Sequence, residues 1–212
     1  MKHLLFVIAL ATPACKKSSG ETTKPVEPAV TNPTPVSPDV TPPGPGPEAK
    51  TEPAAPAPPP PPEPRKATAT LKPTAKSKVT GTITFKEVES GIEVTAVVEG
   101  LKAGNHAYHV HEKGDCSAPD GASAGGHFNP SKHKHGAPEA DEHHEGDFGN
   151  LTADKTGKAS KIFVMKGITL GADDNSIIGK GFIVHEKADD FKTQPTGNAG
   201  GRLACGVIEL TP

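Results

Sequence analysis

The sequence contains no tryptophan and one tyrosine, and aromatic residues make up 4% of its 212 residues. A folded core must therefore rest mainly on valine, isoleucine, leucine and a few phenylalanines, which suit strands better than long helices. The formal net charge is only −2, and no basic stripe with interleaved aromatics occurs. Nothing in the composition therefore indicates a nucleic-acid partner.

Large apolar side chains are nearly absent between Pro25 and Pro64, where 17 of the 24 prolines fall. Such a segment cannot bury enough apolar area to offset its ordering entropy, so residues 15–64 are predicted to be a disordered linker. In polyproline II form, about 45 residues would extend to roughly 140 Å. A spacer is the preferred interpretation, and a ligand for a proline-binding module is the alternative. Residues 65–212 are long enough for one well-buried core.

Residues 1–14 are interpreted as a signal peptide of the lipoprotein type, cleaved before Cys15. Lys2 supplies the positive start, and the apolar run 4–11 is too short to span a bilayer. The segment 12–15 (TPAC) resembles a bacterial lipoprotein cleavage site, whose cysteine becomes the lipidated first residue. Three cysteines leave one over if the other two pair, which favours lipidation of Cys15. The alternative is an ordinary secreted protein with Cys15 as a free thiol.

Residues 67–210 show the period-two pattern of half-buried strands. Apolar and polar residues alternate over 79–86 and again over 92–98, with a turn at 89–91, which predicts a hairpin. Further short strands are predicted at Ala107–His111, Ile162–Met165, Gly181–His185 and Leu203–Leu210. No segment shows a capped stripe of helical period. The fold class is therefore all-β, an antiparallel sandwich or barrel.

Two long connections interrupt the strands, at residues 112–147 and 186–202. Structureless loops of that length in a compact domain are usually functional, and something other than strand pairing must hold them. A disulfide or a metal could do so.

Nine of the ten histidines lie between His106 and His185, which is the first indication of metal. His109 and His111 share one face of a strand because side chains alternate, and Val110 points into the core. Imidazole suits both copper and zinc, and three histidines with one carboxylate make a closed tetrahedral zinc site. The remaining candidate ligands are His127, His135, His144, Asp147 and His185.

Five motifs, taken in order, resemble the copper–zinc superoxide dismutase family: HVHE at 109–112, GHFNP at 126–130, GDFGN at 146–150, VHEKADD at 184–190 and GNAGGRLACG at 197–206. The resemblance covers Ala67–Leu210. It implies a Greek-key antiparallel β-sandwich or flattened barrel of about eight strands with two long functional loops. It also implies an enzyme that holds one copper and one zinc ion per chain.

The resemblance further implies the role of each site residue. Copper would be bound by His109, His111, His127 and His185, and zinc by His127, His135, His144 and Asp147. His127 would bridge both metals as an imidazolate, which two flanking cations make feasible. Asp189 would accept hydrogen bonds from one histidine of each site. Cys116 and Cys205 would form a disulfide.

The implied reaction is the dismutation of superoxide to O2 and hydrogen peroxide, by alternate reduction and oxidation of copper. Arg202 would hold the anion beside the metal, and His127 would take up and return a proton. For Lys187, Lys192 and Thr196, a role in guiding or sizing the anion and a plain solvated-loop role are both open.

Three further histidines leave alternatives open. A register shift would exchange His135 for His133, or His144 for His143. We prefer His135 because Gly136 follows it, and His144 because Asp147 stands three residues on. His106 is expected to be a surface or packing residue.

The first loop is longer, and the second shorter, than in the animal enzymes, and both features resemble the bacterial secreted branch. We therefore expect a location in the bacterial cell envelope, with membrane attachment only through the lipid on Cys15. The animal dimer interface does not carry over, so both a monomer and a bacterial-type dimer are compatible with the sequence.

The competing functions are a copper or zinc buffer and a scaffold whose loops bind a protein partner. The intact set of ligands and Arg202 disfavour both. A copper-only dismutase would have no use for His135, His144 and Asp147.

Overall fold

The computed structural model describes Gly44 and residues 62–212. The signal peptide, Cys15 and nearly all of the linker expected from the sequence therefore lie outside the described residues. Within the described part of the chain, no helix is long and apolar enough to cross a membrane. Among residues 62–212, the helical structure consists of one 3-10 turn at Ala122–Ala124.

Eight antiparallel strands form the domain, as the all-β prediction required. They are β1 (Lys66–Pro73), β2 (Thr80–Val88), β3 (Gly91–Glu99), β4 (Gly104–His111), β5 (Asp147–Ala153), β6 (Ala159–Met165), β7 (Gly181–His185) and β8 (Arg202–Thr211). Neighbours in the sheet follow the order β5-β4-β7-β8-β1-β2-β3-β6. The sheet curls so that β5 and β6, its two ends, approach each other, and the architecture is a flattened barrel.

The predicted hairpin is present as β2 and β3, which pair from Thr80 opposite Glu99 to Val88 opposite Gly91. Ile83 and Phe85 of β2 face Ala96 and Val94 of β3, and all four are buried. Apolar residues at every second position therefore define the inner face of the sheet.

Aromatic rings fill the centre of the barrel. Tyr108, Phe148 and Phe182 are fully buried, and their ring centroids lie 5.6–6.1 Å apart. Burial of each such side chain contributes roughly 2–3 kcal/mol. Val110 points into this core, as the alternation in β4 predicted.

The outer face of β4 and β7 is also buried, because two long connections cover it. We call residues 112–146 the first long loop and residues 186–201 the second long loop. A small apolar cluster beneath the first long loop contains Ala124, Ile183 and Cys205. The histidines on the outer face of β4 are therefore enclosed instead of facing solvent.

Candidate metal centre

The first cluster of the site lies on this covered outer face. His109 and His111 come from β4, and His185 is the last residue of β7. His127, on the first long loop, reaches the same place because its backbone pairs with that of His111. All four side chains are buried, and each offers one nitrogen within 4.8 Å of the others.

The second cluster shares His127 with the first and adds His135, His144 and Asp147. The Oδ1 atom of Asp147 lies 2.8 Å from His127 Nδ1, 2.9 Å from His135 Nδ1 and 3.2 Å from His144 Nδ1. Its Oδ2 atom accepts hydrogen bonds from the backbone N–H groups of Gly136 and His144, at 3.0 and 2.9 Å. These bonds fix the orientation of the carboxylate.

The donor sets fit zinc and copper. Ligands about 2.0–2.1 Å from a tetrahedral zinc lie about 3.3 Å from one another. Here Asp147 Oδ1 lies 2.8 Å from His127 Nδ1, and His127 Nδ1 lies 3.5 Å from His144 Nδ1. His109 Nδ1 and His127 Nε2 are buried without a hydrogen-bond partner. His135 Nδ1 is likewise unpartnered, since its 2.9 Å approach to Asp147 lacks hydrogen-bond alignment. Unpartnered buried nitrogens are costly, and a cation among them would engage their lone pairs.

Burial keeps most of these imidazoles neutral, which is the form that binds a metal. It lowers the pKa of His109, His111 and His185, and it lowers the pKa of His127 to about 4. For His135, burial acts in the same direction, but the carboxylates of Asp147 and Asp189 outweigh it and raise the pKa to about 9.

The two acidic side chains stay ionised. For Asp147, burial raises the pKa, but the surrounding histidines hold it well below its usual range. For Asp189, the histidine contacts similarly outweigh burial and lower the pKa to about 2.

Asp189 connects the two clusters. Its Oδ2 lies 2.8 Å from His109 Nε2, and its Oδ1 lies 2.9 Å from His135 Nε2. Gly197 permits this approach, because a Cβ at that position would collide with both Asp189 and His135. Asn150 belongs to the GDFGN motif but had no role assigned from the sequence; it donates to the Asp189 carbonyl and accepts from its N–H.

Arg202 begins β8 beside the first cluster. Its guanidinium donates to the carbonyls of Gly121 at 2.7 Å and Gly125 at 2.6 Å. The Gly125 carbonyl also lies 2.9 Å from His111 Nδ1, so Arg202 and a clustered histidine share one acceptor. Burial lowers the pKa of Arg202, and Asp120 opposes that shift. The side chain lines a groove of about 560 Å³.

A disulfide joins the first long loop to β8. Cys116 and Cys205 are bonded, with their Cα atoms 5.7 Å apart. Cys205 belongs to the small apolar cluster under the first long loop. The bond therefore holds this loop against the sheet next to the clustered histidines.

The other histidines of the domain lie outside the two clusters. His133 is exposed and His143 is half-buried, so the structure gathers His135 and His144 in their place. Lys187, Lys192 and Thr196 all lie on the second long loop, where both lysines are exposed.

His106 is a buried residue whose contact with the site the sequence did not reveal. Its Nδ1 lies 2.9 Å from the carbonyl oxygen of His185, and its Nε2 lies 2.9 Å from that of Lys102. The expectation of a surface or packing residue was therefore incomplete. The partner is a backbone carbonyl on another strand, which leaves no signal in the sequence.

A family model for copper/zinc superoxide dismutases matches residues 79–208, which include both clusters and Arg202. The chain belongs to the copper/zinc superoxide dismutase family. An extracellular superoxide dismutase [Cu-Zn] of Drosophila melanogaster is 43% identical over 143 residues, spanning 63% of this chain and 77% of that protein. Superoxide dismutase [Cu-Zn] 5 of Dictyostelium discoideum is 43% identical over 142 residues, spanning 63% and 91%.

The fold agrees with this assignment. The crystal structure of the clock protein EA4 superposes with a TM-score of 0.64 at 40% identity, covering 70% of this chain and 96% of that one. The domain is thus a copper- and zinc-dependent superoxide dismutase, and the two histidine clusters fit the two metals.

Proposed function

We propose that copper is held by His109, His111, His127 and His185, and zinc by His127, His135, His144 and Asp147. The observation that carries this assignment is the position of His127 in both clusters. Its Nδ1 faces Asp147 at 2.8 Å, while its Nε2 is buried without a partner. One imidazole therefore presents a nitrogen to each site, as a bridging ligand must.

Bound copper supplies the one-electron chemistry that converts superoxide into O2 and hydrogen peroxide, and zinc, which is not redox-active, supplies only charge. His127 holds and moves a proton at Nε2, while its Nδ1 stays directed at Asp147. Asp189 fixes the rings of His109 and His135 through Nε2, so that the Nδ1 atoms point into the clusters.

Arg202 attracts and orients the substrate anion. A guanidinium has five N–H donors, and only two carbonyls occupy them here, so donors remain for a small anion. Arg202 also lines a groove together with Glu186, Gly200 and Gly201 of the second long loop, and we infer that superoxide enters through it.

The test is superoxide decay, followed by stopped-flow spectroscopy, with the full chain loaded with copper and zinc. Arg202→Gln removes the positive charge and should lower the rate constant about tenfold or more, with a weaker dependence on salt. The rate constant of Arg202→Lys should lie between those of the wild type and Arg202→Gln. His127→Ala should abolish activity and reduce the amount of both metals bound. Arg65→Gln is the control, because Arg65 does not line the groove. Wild-type rates in Arg202→Gln and His127→Ala would contradict the mechanism.

We further propose that this enzyme is a lipid-anchored protein of the bacterial cell envelope. In this arrangement residues 1–14 are removed, Cys15 carries the lipid, residues 15–64 form the tether and residues 65–212 form the catalytic domain. The sequence features at 1–15 support the anchor. Two relatives, from Drosophila melanogaster and Caenorhabditis elegans, are named extracellular, which agrees with secretion. The lengths of the two long loops support the bacterial branch.

Cell fractionation tests the anchor. Cys15→Ser should move the protein from the membrane fraction to the soluble secreted fraction, whereas Ser18→Ala should leave it with the membrane. A wild-type protein already found entirely in the soluble fraction would show that Cys15 is not lipidated. Superoxide decay should be equal in both variants, because Cys15 lies far from residues 65–212 in the sequence.

A further inference from the structure

A second group of potential metal ligands faces a groove of about 600 Å³ between the first long loop and β6. The β6 side of this groove carries apolar side chains, among them Phe163 and Met165. The loop side carries two of the three described histidines that the two clusters leave unused, together with three carboxylates. These residues are His133, His143, Glu139, Asp141 and Glu145. We propose that this groove binds a third metal ion, a divalent transition metal such as Zn²⁺, through His133, His143 and Glu145.

Glu145 is the residue that points to a cation. Its side chain is only 8% exposed, although a carboxylate is rarely buried without partners. The Ser131 hydroxyl donates to Oε1 in a short hydrogen bond. The other oxygen, Oε2, is buried and has no hydrogen-bond partner. A buried carboxylate oxygen without a partner is costly, and a cation in the adjoining groove would compensate it.

His143 is arranged to offer a nitrogen lone pair. Its Nδ1 lies 2.8 Å from the carbonyl oxygen of Ala140. A carbonyl only accepts hydrogen bonds, so Nδ1 carries the proton and the lone pair lies on Nε2. This is the tautomer in which Nε2 can bind a metal.

His133 has a fixed backbone and an exposed side chain. The amide of Asn129 donates to the His133 carbonyl at 2.9 Å, and its oxygen accepts from the His133 N–H at 3.0 Å. The ring is exposed and is free to change rotamer without disturbing the loop.

The charges around the groove favour a cation. Three carboxylates line it against two lysines, Lys161 and Lys166. Lys161 is already engaged, since its Nζ donates to the Asn150 carbonyl at 3.3 Å and lies 5.0 Å from the centroid of the Phe163 ring. Two imidazoles with carboxylates form a set that suits zinc, copper or nickel better than magnesium or calcium.

The groove differs from the two clusters described above in one respect. Among the described residues, only those two clusters place their ligand atoms within 4.8 Å of one another. The groove side chains must therefore rotate to converge on an ion. We expect weaker binding than at the clusters, because that ordering has an entropic cost.

The experiment is a calorimetric titration of Zn²⁺ into the full chain after it has been loaded with one copper and one zinc, dialysed and analysed for metal content. We expect one further zinc equivalent. We expect Glu145→Gln to weaken the binding of this third zinc ion about tenfold or more, or to abolish it. We expect the same of the double change His133→Ala with His143→Ala. Glu142→Gln, an exposed carboxylate of the same loop that does not line the groove, should leave it unchanged.

Each variant is first shown to retain one copper and one zinc. Should Glu145→Gln lose these metals, the double histidine variant decides, because its positions are exposed or half-buried. The proposal is overturned if the wild type takes up no third zinc, or if the third zinc binds the double histidine variant with unchanged affinity. Zinc uptake is measured without reference to dismutation, so the result is independent of the proposed mechanism.

Discussion

His106 and His185 are joined across neighbouring strands, with His106 Nδ1 2.9 Å from the carbonyl oxygen of His185. His185 is the last residue of β7, where regular pairing with β8 is interrupted. A carbonyl oxygen only accepts hydrogen bonds, so the tautomer of His106 with the proton on Nδ1 donates to this backbone and holds it in place. Because the His185 ring belongs to the first cluster, which we propose to be the copper site, His106 is a positioning residue for that cluster.

We predict that His106→Phe lowers the free energy of unfolding by about 1–3 kcal/mol, since it removes a hydrogen bond to the carbonyl of a buried residue. Copper retention against a chelator should fall more than zinc retention, because His185 belongs to the copper cluster only. Thermal unfolding and metal analysis provide the measurements. His133→Ala, at an exposed histidine, is the control for stability. Equal losses of both metals would show that His106 acts on the fold as a whole.

Asp189→Asn tests the link between the clusters. Asparagine keeps the size of the side chain, but only one of its two terminal atoms can accept a hydrogen bond, so His109 and His135 cannot both be held. We expect metal affinity to fall about 10- to 100-fold. The neighbouring Asp190→Asn is the matched control, because Asp190 accepts hydrogen bonds only from Lys192 and Thr193 in its own loop. Competition with a chelator measures both variants, and similar affinities in the two would rule out this role for Asp189.

Gly197→Ala should disrupt the same link by steric collision. Gly197 has φ +64°, and its added Cβ would meet Asp189 and His135. Gly167→Ala is the control, since Gly167 also has a positive φ, +77°, but open space surrounds the position of its Cβ. Both variants incur backbone strain of about 1 kcal/mol. Only Gly197→Ala should also lose zinc, as measured by metal analysis after dialysis.

Removal of the disulfide should destabilise the metal-free protein. Cys116 and Cys205 are separated by 89 residues in the sequence. For a loop of that length, chain entropy predicts that removal of the disulfide lowers the free energy of unfolding by about 4–5 kcal/mol, whereas the decrease is typically about 2–5 kcal/mol when measured in small proteins. The double change Cys116→Ser with Cys205→Ser, compared with wild type in urea denaturation, measures it. The metal-loaded variant should lose less, because bound metals also hold the first long loop. A larger loss in the loaded protein than in the metal-free one would contradict this account.

The alternation of apolar and polar residues was sufficient to predict most strands. The hairpin of β2 and β3 follows from period two over 79–98, and β7 follows from its apolar run. The alternation pattern does not predict β5. Its segment begins with Asp147, Phe148, Gly149 and Asn150, which read locally as a turn. Pairing with β4 makes it a strand, and that pairing is a long-range interaction.

The sequence by itself determined the all-β class, the hairpin of β2 and β3 and, through motif order, the family of this domain. Those features depend on local periodicity and on residue identity, both of which can be read along the chain. The family resemblance also implied which histidines form each cluster, but the tertiary structure alone decided that His133 and His143 face a different groove and that His106 contacts the His185 carbonyl. Such contacts depend on how the two long loops fold over the outer face of β4 and β7, and no local sequence pattern encodes that path.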